Sequence, residues 1–375
     1  MNTETRTAPP QALKIVDHVQ PSEAVRRQPF IRLDPQDNVV VARIEVPAGT
    51  PVPGEGTSTL QKVPAGHKVA TRGIARGEPL RKYNTVIGFA TEDLPAGTWV
   101  HSHNIAFGEL AKDYRHGLDY VPLEPLPAAE RARFMGIVRA DGRVATRNWL
   151  GVFAASHRAA AVARRIAAYF DAEALAAYPQ VDGVAPFAHE QGAVMELAGE
   201  PLAMLRRTLG GTIRHPNTAG ALLVAWGDED NSLAGLMQDQ HLAEGPMLRT
   251  LVICQAGGTR AAIEQGIALV QGMLAAANAV RREPVSAEHI CVGMQCGGSD
   301  GFSGLSANPA LGVAMEILIR HGGTAILSET PEIFGVEHTL TARARTPEVG
   351  RKLVARMDWW LKYNEGRDTQ INGQV

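Results

Sequence analysis

Cysteine is scarce in this chain of 375 residues, with three in all, at Cys254, Cys291 and Cys296. An odd set of thiols makes no even disulfide framework, so a reducing, cytoplasmic compartment is expected. Charge of one sign is lacking too: 37 Lys+Arg stand against 39 Asp+Glu, for a formal net charge of −2. That balance supplies no basic field for a nucleic-acid backbone. No apolar run approaches the roughly 18 residues of a membrane span. Residues 1–28 have neither the basic start nor the apolar core of a secretory signal. Gly-x-Gly-x-x-Gly and Walker-type loops are absent from any strand-to-helix context, which counts against a nucleotide cofactor. Aromatic residues make up only 5% of the chain, yet 45% is hydrophobic. Real cores are therefore affordable, and the length suggests about two or three domains.

Residues 1–28 mix charge, Pro9-Pro10 and one short apolar stretch, and read as an N-terminal tail. From residue 30 to about 104, short alternating runs such as 39–44 and 69–72 are punctuated by Pro-Ala-Gly at 47–49, 64–66 and 95–97. Proline presets φ and glycine accepts φ > 0, so each tripeptide marks a turn between strands, and a small β domain over 29–104 is expected. Residues 105–133 contain Pro122, Pro125 and Pro127, whose missing amide donors exclude regular helix or central strand. They read as a linker. Strand-like runs then recur at 149–153, 181–187, 221–226, 250–254, 289–294 and 324–327, with amphipathic stretches between them. In 259–274, Ile263, Ile267, Val270 and Leu274 fall on one helical face. This alternation predicts a mostly parallel, doubly wound α/β domain over 134–365, with ligands at the carboxyl ends of the strands, and a polar end over 366–375.

Three loops suit chemistry. In the first, over 136–148, Asp141-Gly142 is a hairpin signal, while Arg147 beside Asn148 offers a planar fork for a carboxylate and an amide for hydroxyls. Its plainer reading is a hairpin with solvated arginines. The second, over 255–260, places Gly257-Gly258-Thr259 at a helix start, where exposed N–H groups suit an anion but a Thr cap needs none. The third, over 296–310, is the densest polar loop of the chain. It crowds Cys296, Gly297, Gly298, Ser299, Asp300, Ser303, Ser306 and Asn308 between an apolar strand and a helix start at Asn308-Pro309. A mere connector has little use for so many small and polar groups, which favours function.

Histidines are the remaining reactive groups. His101-Ser102-His103 in a strand would point both imidazoles to one face, a spacing suited to a metal or an acid/base pair, and His67 could join them. The alternative for each is a surface or hydrogen-bonded histidine. Cys291 and Cys296 lie an odd number of residues apart, which disfavours a shared metal. Cys296 is the exposed-loop thiol; Cys254 and Cys291 read as core.

Together these segments resemble the altronate/galactarate dehydratase family, in which a small SAF-type β domain precedes an α/β domain. The likeness spans about residues 30–365. It rests on the runs 37–42, 64–70, His101-Ser102-His103-Asn104, 141–148 and the loop 296–310, and the histidine pair looks more like the altronate branch. The resemblance implies a cytoplasmic hydro-lyase that dehydrates a sugar acid: a base takes the proton α to the carboxylate, and an acid assists the departing β-hydroxyl. A divalent Fe²⁺ or Mn²⁺ would act as the Lewis acid. His67, His101, His103, Asp300 and Ser299 are then the expected catalytic residues, and Arg147, Asn148, Gly297, Gly298 and Asn308 the substrate-binding ones. The small-molecule sugar acid and further copies of the chain are the expected partners, without nucleic acid or membrane.

Two departures from the family stand out. Positions where relatives usually carry cysteines align with Arg158, Ala193 and Asp228, and only Cys296 keeps its thiol. A retained metal would thus have to use Cys296 with His189 and Asp228. Family members generally continue beyond the helix that ends near residue 363, so the resemblance implies that the family's C-terminal domain is absent here and that activity of these residues alone is weak. Two alternatives stay open: a related lyase acting on another small hydroxy acid such as sulfolactate, or a degenerate, non-catalytic sugar-acid binder.

Overall fold

The computed structural model of the chain describes residues 28–108, 113–298 and 300–366. It divides into two compact units: residues up to Glu130 together with those from Ile290 form one, and Arg131–His289 form the other. The α/β stretch expected over 134–365 is thus shared between them, because the chain leaves the first unit after Glu130 and returns to it at Ile290.

In the first unit, strands β1 (Phe30–Ile31), β2 (Val39–Ala42), β3 (Pro51–Val52), β4 (Thr57–Ser58), β5 (Lys68–Ala70), β6 (Pro79–Lys82), β7 (Thr85–Ala90), β8 (Trp99–Val100) and β9 (Ile105–Ala106) build the N-terminal β domain. They form a sheet in the order β1-β2-β5-β8, a second in the order β6-β7-β9, and the hairpin β3-β4. Every residue of β2 is buried because cores lie on both of its faces: Val40 and Ala42 pack with Val69 on one, and Val39 with Ala70 and Val100 on the other. Continuous burial explains a Val-Val-Val-Ala run where a one-sided strand would alternate. The Pro-Ala-Gly turns form as their chemistry dictates. Gly49, Gly66 and Gly97 have φ near +80°, and the amides of His67 and Thr98 close back onto the Pro64 and Pro95 carbonyls. Phe89 pairs with Ala106, so the β domain extends past residue 104 into the stretch read as linker.

The hairpin β6-β7 turns at Tyr83 and Asn84, both left-handed with φ of 54° and 53°. Neither residue is glycine, so the turn needs outside support. Asp37 supplies it from a nearly buried position: Oδ1 accepts the Asn84 amide at 2.7 Å, and Oδ2 accepts those of Tyr83 at 3.0 Å and Asp34 at 3.1 Å. Its neighbour Asn38 accepts from the Arg81 amide and donates to the Pro79 carbonyl.

The second unit opens with β10 (Arg133–Val138) and β11 (Val144–Ala145), an antiparallel hairpin across Asp141-Gly142 with Gly142 at φ 82°. A four-stranded parallel sheet follows, of β12 (Trp149–Ala154), β13 (Gly183–Phe187), β14 (Thr218–Ala225) and β15 (Leu248–Val252), in the order β13-β12-β14-β15. Helices α1 (His157–Ala168) and α4 (Thr259–Asn278) cover one face against Leu150, Val152, Leu222 and Val224. Helices α2 (Glu200–Ile213) and α3 (Leu233–Asp239) cover the other against Phe153 and Leu223. A Cβ on Gly266 of α4 would meet the Ile166 side chain of α1 at 2.3 Å, so glycine lets these helices touch. Gly258, at φ 105°, caps α4 in place of the expected Thr259. Strand β16 (Glu283–Ser286) then returns antiparallel to β10.

Back in the first unit, β17 (Cys291–Met294), α5 (Asn308–Arg320) and β18 (Thr324–Leu327) form a parallel β-α-β crossover. Helices α6 (Glu337–Ala342) and α7 (Pro347–Asn364) complete it, the latter capped by Thr346, whose Oγ1 accepts the Val349 amide. The Pro-rich stretch is laid along this part: the amides of Gly117, Asp119 and Leu126 donate to the carbonyls of Thr341, Ala342 and Arg320. Residues expected to link two domains are thus clasped within one unit. No helix among the described residues is long and apolar enough to cross a membrane.

Replacing Asp37 by alanine strands two amides of a strained turn, and an unfolding free-energy loss of about 3 kcal/mol is expected in urea titration. Asp37→Asn, which keeps an acceptor, loses less.

Candidate active site

His67 follows the second Pro-Ala-Gly turn, and His101 and His103 follow β8. The structure gathers all three around Trp99. The His67 and His101 rings stack with centroids 4.8 Å apart, His101 and His103 lie 6.4 Å apart at 16°, and Trp99 sits 5.0 Å from His103. A turn does this in place of the expected strand. Buried Asn104 accepts the His101 amide at 3.0 Å and donates to the Trp99 carbonyl at 2.9 Å, folding 101–104 back on itself.

A hydrogen bond assigns the proton of His67. Trp99 Nε1 donates to His67 Nδ1 at 3.0 Å, and a neutral ring accepting there carries its proton on Nε2. His101 Nδ1 lies 2.8 Å from Ser102 Oγ, a hydroxyl that can donate or accept, so this contact is compatible with either tautomer of His101. The His67 ring thus offers an Nε2–H donor, and its stacked neighbour offers an Nε2 acceptor in the tautomer that donates Nδ1–H to Ser102. Burial, then the charges of His101 and Lys68, hold the His67 pKa below its ordinary value. Burial, then Lys68 and His103, lower that of His101. Both rings are biased towards the neutral forms that this tautomer pair requires.

The loop following β17 meets the same β domain. Gly301 lies against Gly66, beside His67: a Cβ on Gly301 would sit 2.8 Å from the Gly66 carbonyl oxygen. Tyr83 donates its hydroxyl to the Gly304 carbonyl at 2.6 Å. Asp300 shapes the loop, its Oδ1 accepting the amides of Phe302 at 2.7 Å and Ser303 at 3.0 Å. Gly297 and Gly298 are exposed in the bend before it. Asn308 starts α5 and donates to Cys296 Sγ at 3.9 Å. Glu329 accepts the Cys296 amide and the Gln295 side chain, and these bonds lower its pKa. Ser299 lies outside the described residues.

The other expected residues belong to the second unit. Asn148 is fully buried, donates to the carbonyls of Gln180 and Ala277, and accepts from Arg139. Its amide is committed to the fold, so it cannot address a polyol. Arg147 is exposed and reaches Asp182 at 3.4 Å. At the carboxyl ends of β12 to β14, buried Glu229 gathers Ser156 Oγ and the amides of Trp226 and Gly227. Arg158 and Asp228, two of the positions where the resemblance implies cysteines, form an ion pair at 2.6 Å. The third, Ala193, accepts the Asp230 amide nearby.

The donors proposed for a metal do not fit one as they stand. His189 contacts the Ala154 carbonyl through Nε2 at 2.9 Å and accepts the Gln191 amide on Nδ1, and Asp228 is paired with Arg158. No three His, Cys, Asp or Glu among the described residues come together as a metal-binding group. The cysteine assignments also reverse. Cys254 and Cys291 are exposed and Cys296 is half-buried, because Cys254 follows β15 in a turn and β17 has only one strand beside it.

Comparison with known proteins agrees with this architecture. The altronate/galactarate dehydratase SAF domain matches residues 28–108, the second domain of D-galactarate dehydratase/altronate hydrolase matches 136–278, and the C-terminal domain of D-galactarate/altronate dehydratase matches 287–375. The last match overturns the expectation that the C-terminal domain is absent: β17, α5, β18 and α7 lie within it. The chain is 34% identical over 346 residues to altronate dehydratase of Escherichia coli (strain K12), covering 91% of this chain and 68% of the relative. It is 32% identical to galactarate dehydratase (L-threo-forming) of the same organism, covering 89% and 65%, and 31% identical to altronate dehydratase of Bacillus subtilis (strain 168), covering 89% and 66%. It thus spans about two thirds of the length of these relatives. Such matches define a hydro-lyase, a carbon–oxygen lyase by class. More narrowly, the chain belongs to the altronate/galactarate dehydratase family.

Trp99 escaped the sequence reading, although its place two residues before His101 was a signal. Trp99→Phe keeps the ring but frees the His67 tautomer. A fall in kcat of about tenfold with an unchanged melting temperature is expected from steady-state kinetics and calorimetry.

Proposed function

We propose that this chain dehydrates a sugar acid, altronate or a related aldonate or aldarate, to the 2-keto-3-deoxy acid, with His101 and His67 as the reacting pair. The observation that carries the reading is the stacked pair of His67 and His101, both with pKa values lowered so that neutral imidazole is favoured, in a family whose relatives are named as sugar-acid dehydratases. His101 Nε2 takes the proton from the carbon bearing the carboxylate, and an enediolate forms. His101, now an imidazolium, gives that proton to the β-hydroxyl, which leaves as water as the carbon–oxygen bond breaks, while His67 Nε2–H donates a hydrogen bond to the departing oxygen. The resulting enol becomes the keto acid by taking a solvent proton at the β-carbon and losing the proton of its α-hydroxyl, and both rings end neutral, as they began. Asp300 keeps the facing loop in shape and lends its carboxylate to the hydroxyls of the substrate.

The test offers altronate, galactarate, other aldonates and sulfolactate to the purified chain, with and without Fe²⁺ or Mn²⁺. Keto acid formed from a sugar acid and lost in His101→Asn supports the proposal. Sulfite release from sulfolactate alone would move the chain to a sulfo-lyase. That outcome is included because the chain is 28% identical over 225 residues to a (2R)-sulfolactate sulfo-lyase subunit beta of Chromohalobacter salexigens. Absence of any product would leave a binding protein.

Two further outcomes are expected. Asp300→Asn retains an acceptor for the Phe302 and Ser303 amides, so the loop persists while turnover falls about 100-fold. In the pH profile, the base is active when unprotonated and its pKa is lowered. The acid limb of kcat/KM should therefore fall off below pH of about 6.5, the ordinary histidine value, rather than at it.

A further inference from the structure

Two lysines beside the histidines are unexplained by the steps above. Lys68 ends the turn that carries His67, and Lys82 ends β6 just before the strained Tyr83–Asn84 turn. Both are half-buried, and among the described residues neither ammonium group has a hydrogen bond or an ion pair. Burial lowers the pKa of each, and the charge of Lys82 further lowers that of Lys68. Asp37, whose oxygens accept three backbone amides, acts on Lys82 as a nearby opposite charge that partly offsets the lowering, without forming an ion pair with it.

The 301–304 loop spans the two lysines. Gly301 rests on Gly66, two residues before Lys68, and a Cβ on Gly304 would lie 3.8 Å from Lys82 Nζ. Tyr83, whose ring is 5.9 Å from Lys82 Nζ, fastens the loop through its hydroxyl. Two like charges half-withdrawn from water, with no ion pair to either among the described residues, are costly, and a bound anion reduces the cost.

We propose that Lys68 and Lys82 form the carboxylate-binding end of the site, walled by the 301–304 loop; the identity of that carboxylate as the substrate's rests on the reading of His67 and His101 as the reacting pair. A carboxylate seated there places its α-carbon on the histidine side. As the α-proton leaves, negative charge moves onto the carboxylate oxygens, so the same two ammonium groups hold the enediolate more tightly than the substrate.

Binding and turnover are measured separately. Tartrate, a hydroxy dicarboxylate, is titrated into the wild-type chain and into Lys68→Met, Lys82→Met and Lys82→Arg, with affinity from calorimetry and the imidazole signals of His67 and His101 followed by NMR. The expected result is that tartrate shifts both imidazole signals. Each methionine variant should lose at least tenfold in affinity, while Lys82→Arg keeps most of it. Failure of tartrate to move the histidines of the wild-type chain overturns the inference, and this arm needs no variant to fold. Equal affinity in folded Lys82→Met overturns it as well, as does inorganic sulfate binding as tightly as tartrate. Tartrate bound through the lysines by a chain that turns over no sugar acid would refute the proposed dehydration and leave the anion site standing. Undiminished turnover in both methionine variants would sink the anion site alone.

Discussion

The β domain's half of the candidate site hangs from one buried carboxylate. Asp37 holds two consecutive left-handed residues that are not glycine, and through them it fixes where β6 ends and β7 begins. Lys82 and Tyr83 are the residues so placed. Tyr83 in turn secures the Gly304 carbonyl, so the loop of the C-terminal domain takes its position from an interaction made more than 200 residues earlier. Asn38 adds a second tie from the residue next to it, just before β2, which makes the hairpin an extension of the β2 core and not an independent ribbon.

Much of the architecture was legible in local chemistry. The Pro-Ala-Gly turns, the Asp141-Gly142 hairpin, the face of α4 and the start of α7 at Thr346 all follow from rules that operate within a few residues. Division of the α/β stretch did not, because periodicity gives β17 and β18 the same signature as β12 to β15, although among the described residues they pair only with each other. Asn148 misled for a related reason. An Arg-Asn pair beside a hairpin reads as a recognition fork, and only the fold reveals that the amide is closed in by Gln180, Ala277 and Arg139. The histidine trio was found through the wrong backbone: alternation in a strand was the argument, and a turn held by Asn104 is the cause. Lys68 and Lys82 gave no signal, since an isolated lysine in a sequence does not disclose that its ammonium group is half-buried with no ion pair among the described residues.

At the carboxyl ends of the second unit's parallel strands, two positions at which the resemblance implies cysteines carry opposite charges that neutralise each other. Glu229, Ser156 and Asn231 form a fully bonded layer beneath them. This end of the sheet is therefore an internally satisfied polar network, with its bonds already made, whereas among the described residues of the β domain Lys68 and Lys82 carry ammonium groups without a hydrogen bond or ion pair. Buried polar groups of the first kind specify a fold; those of the second kind ask for a ligand.

The pairing of β10 with β16 has a consequence for the history of the chain. Arg133 faces Ser286 and Gly136 faces Glu283, so the entry and exit of the second unit are zipped side by side at a common root. A segment anchored in this way can be grafted into, or lifted out of, a host by cutting two neighbouring strands, without re-threading anything else. During synthesis on the ribosome it also acts as an interruption: the first unit's opening residues emerge well before those from Ile290 onward that share its contacts. The guest can finish folding while its host is still waiting for its second half.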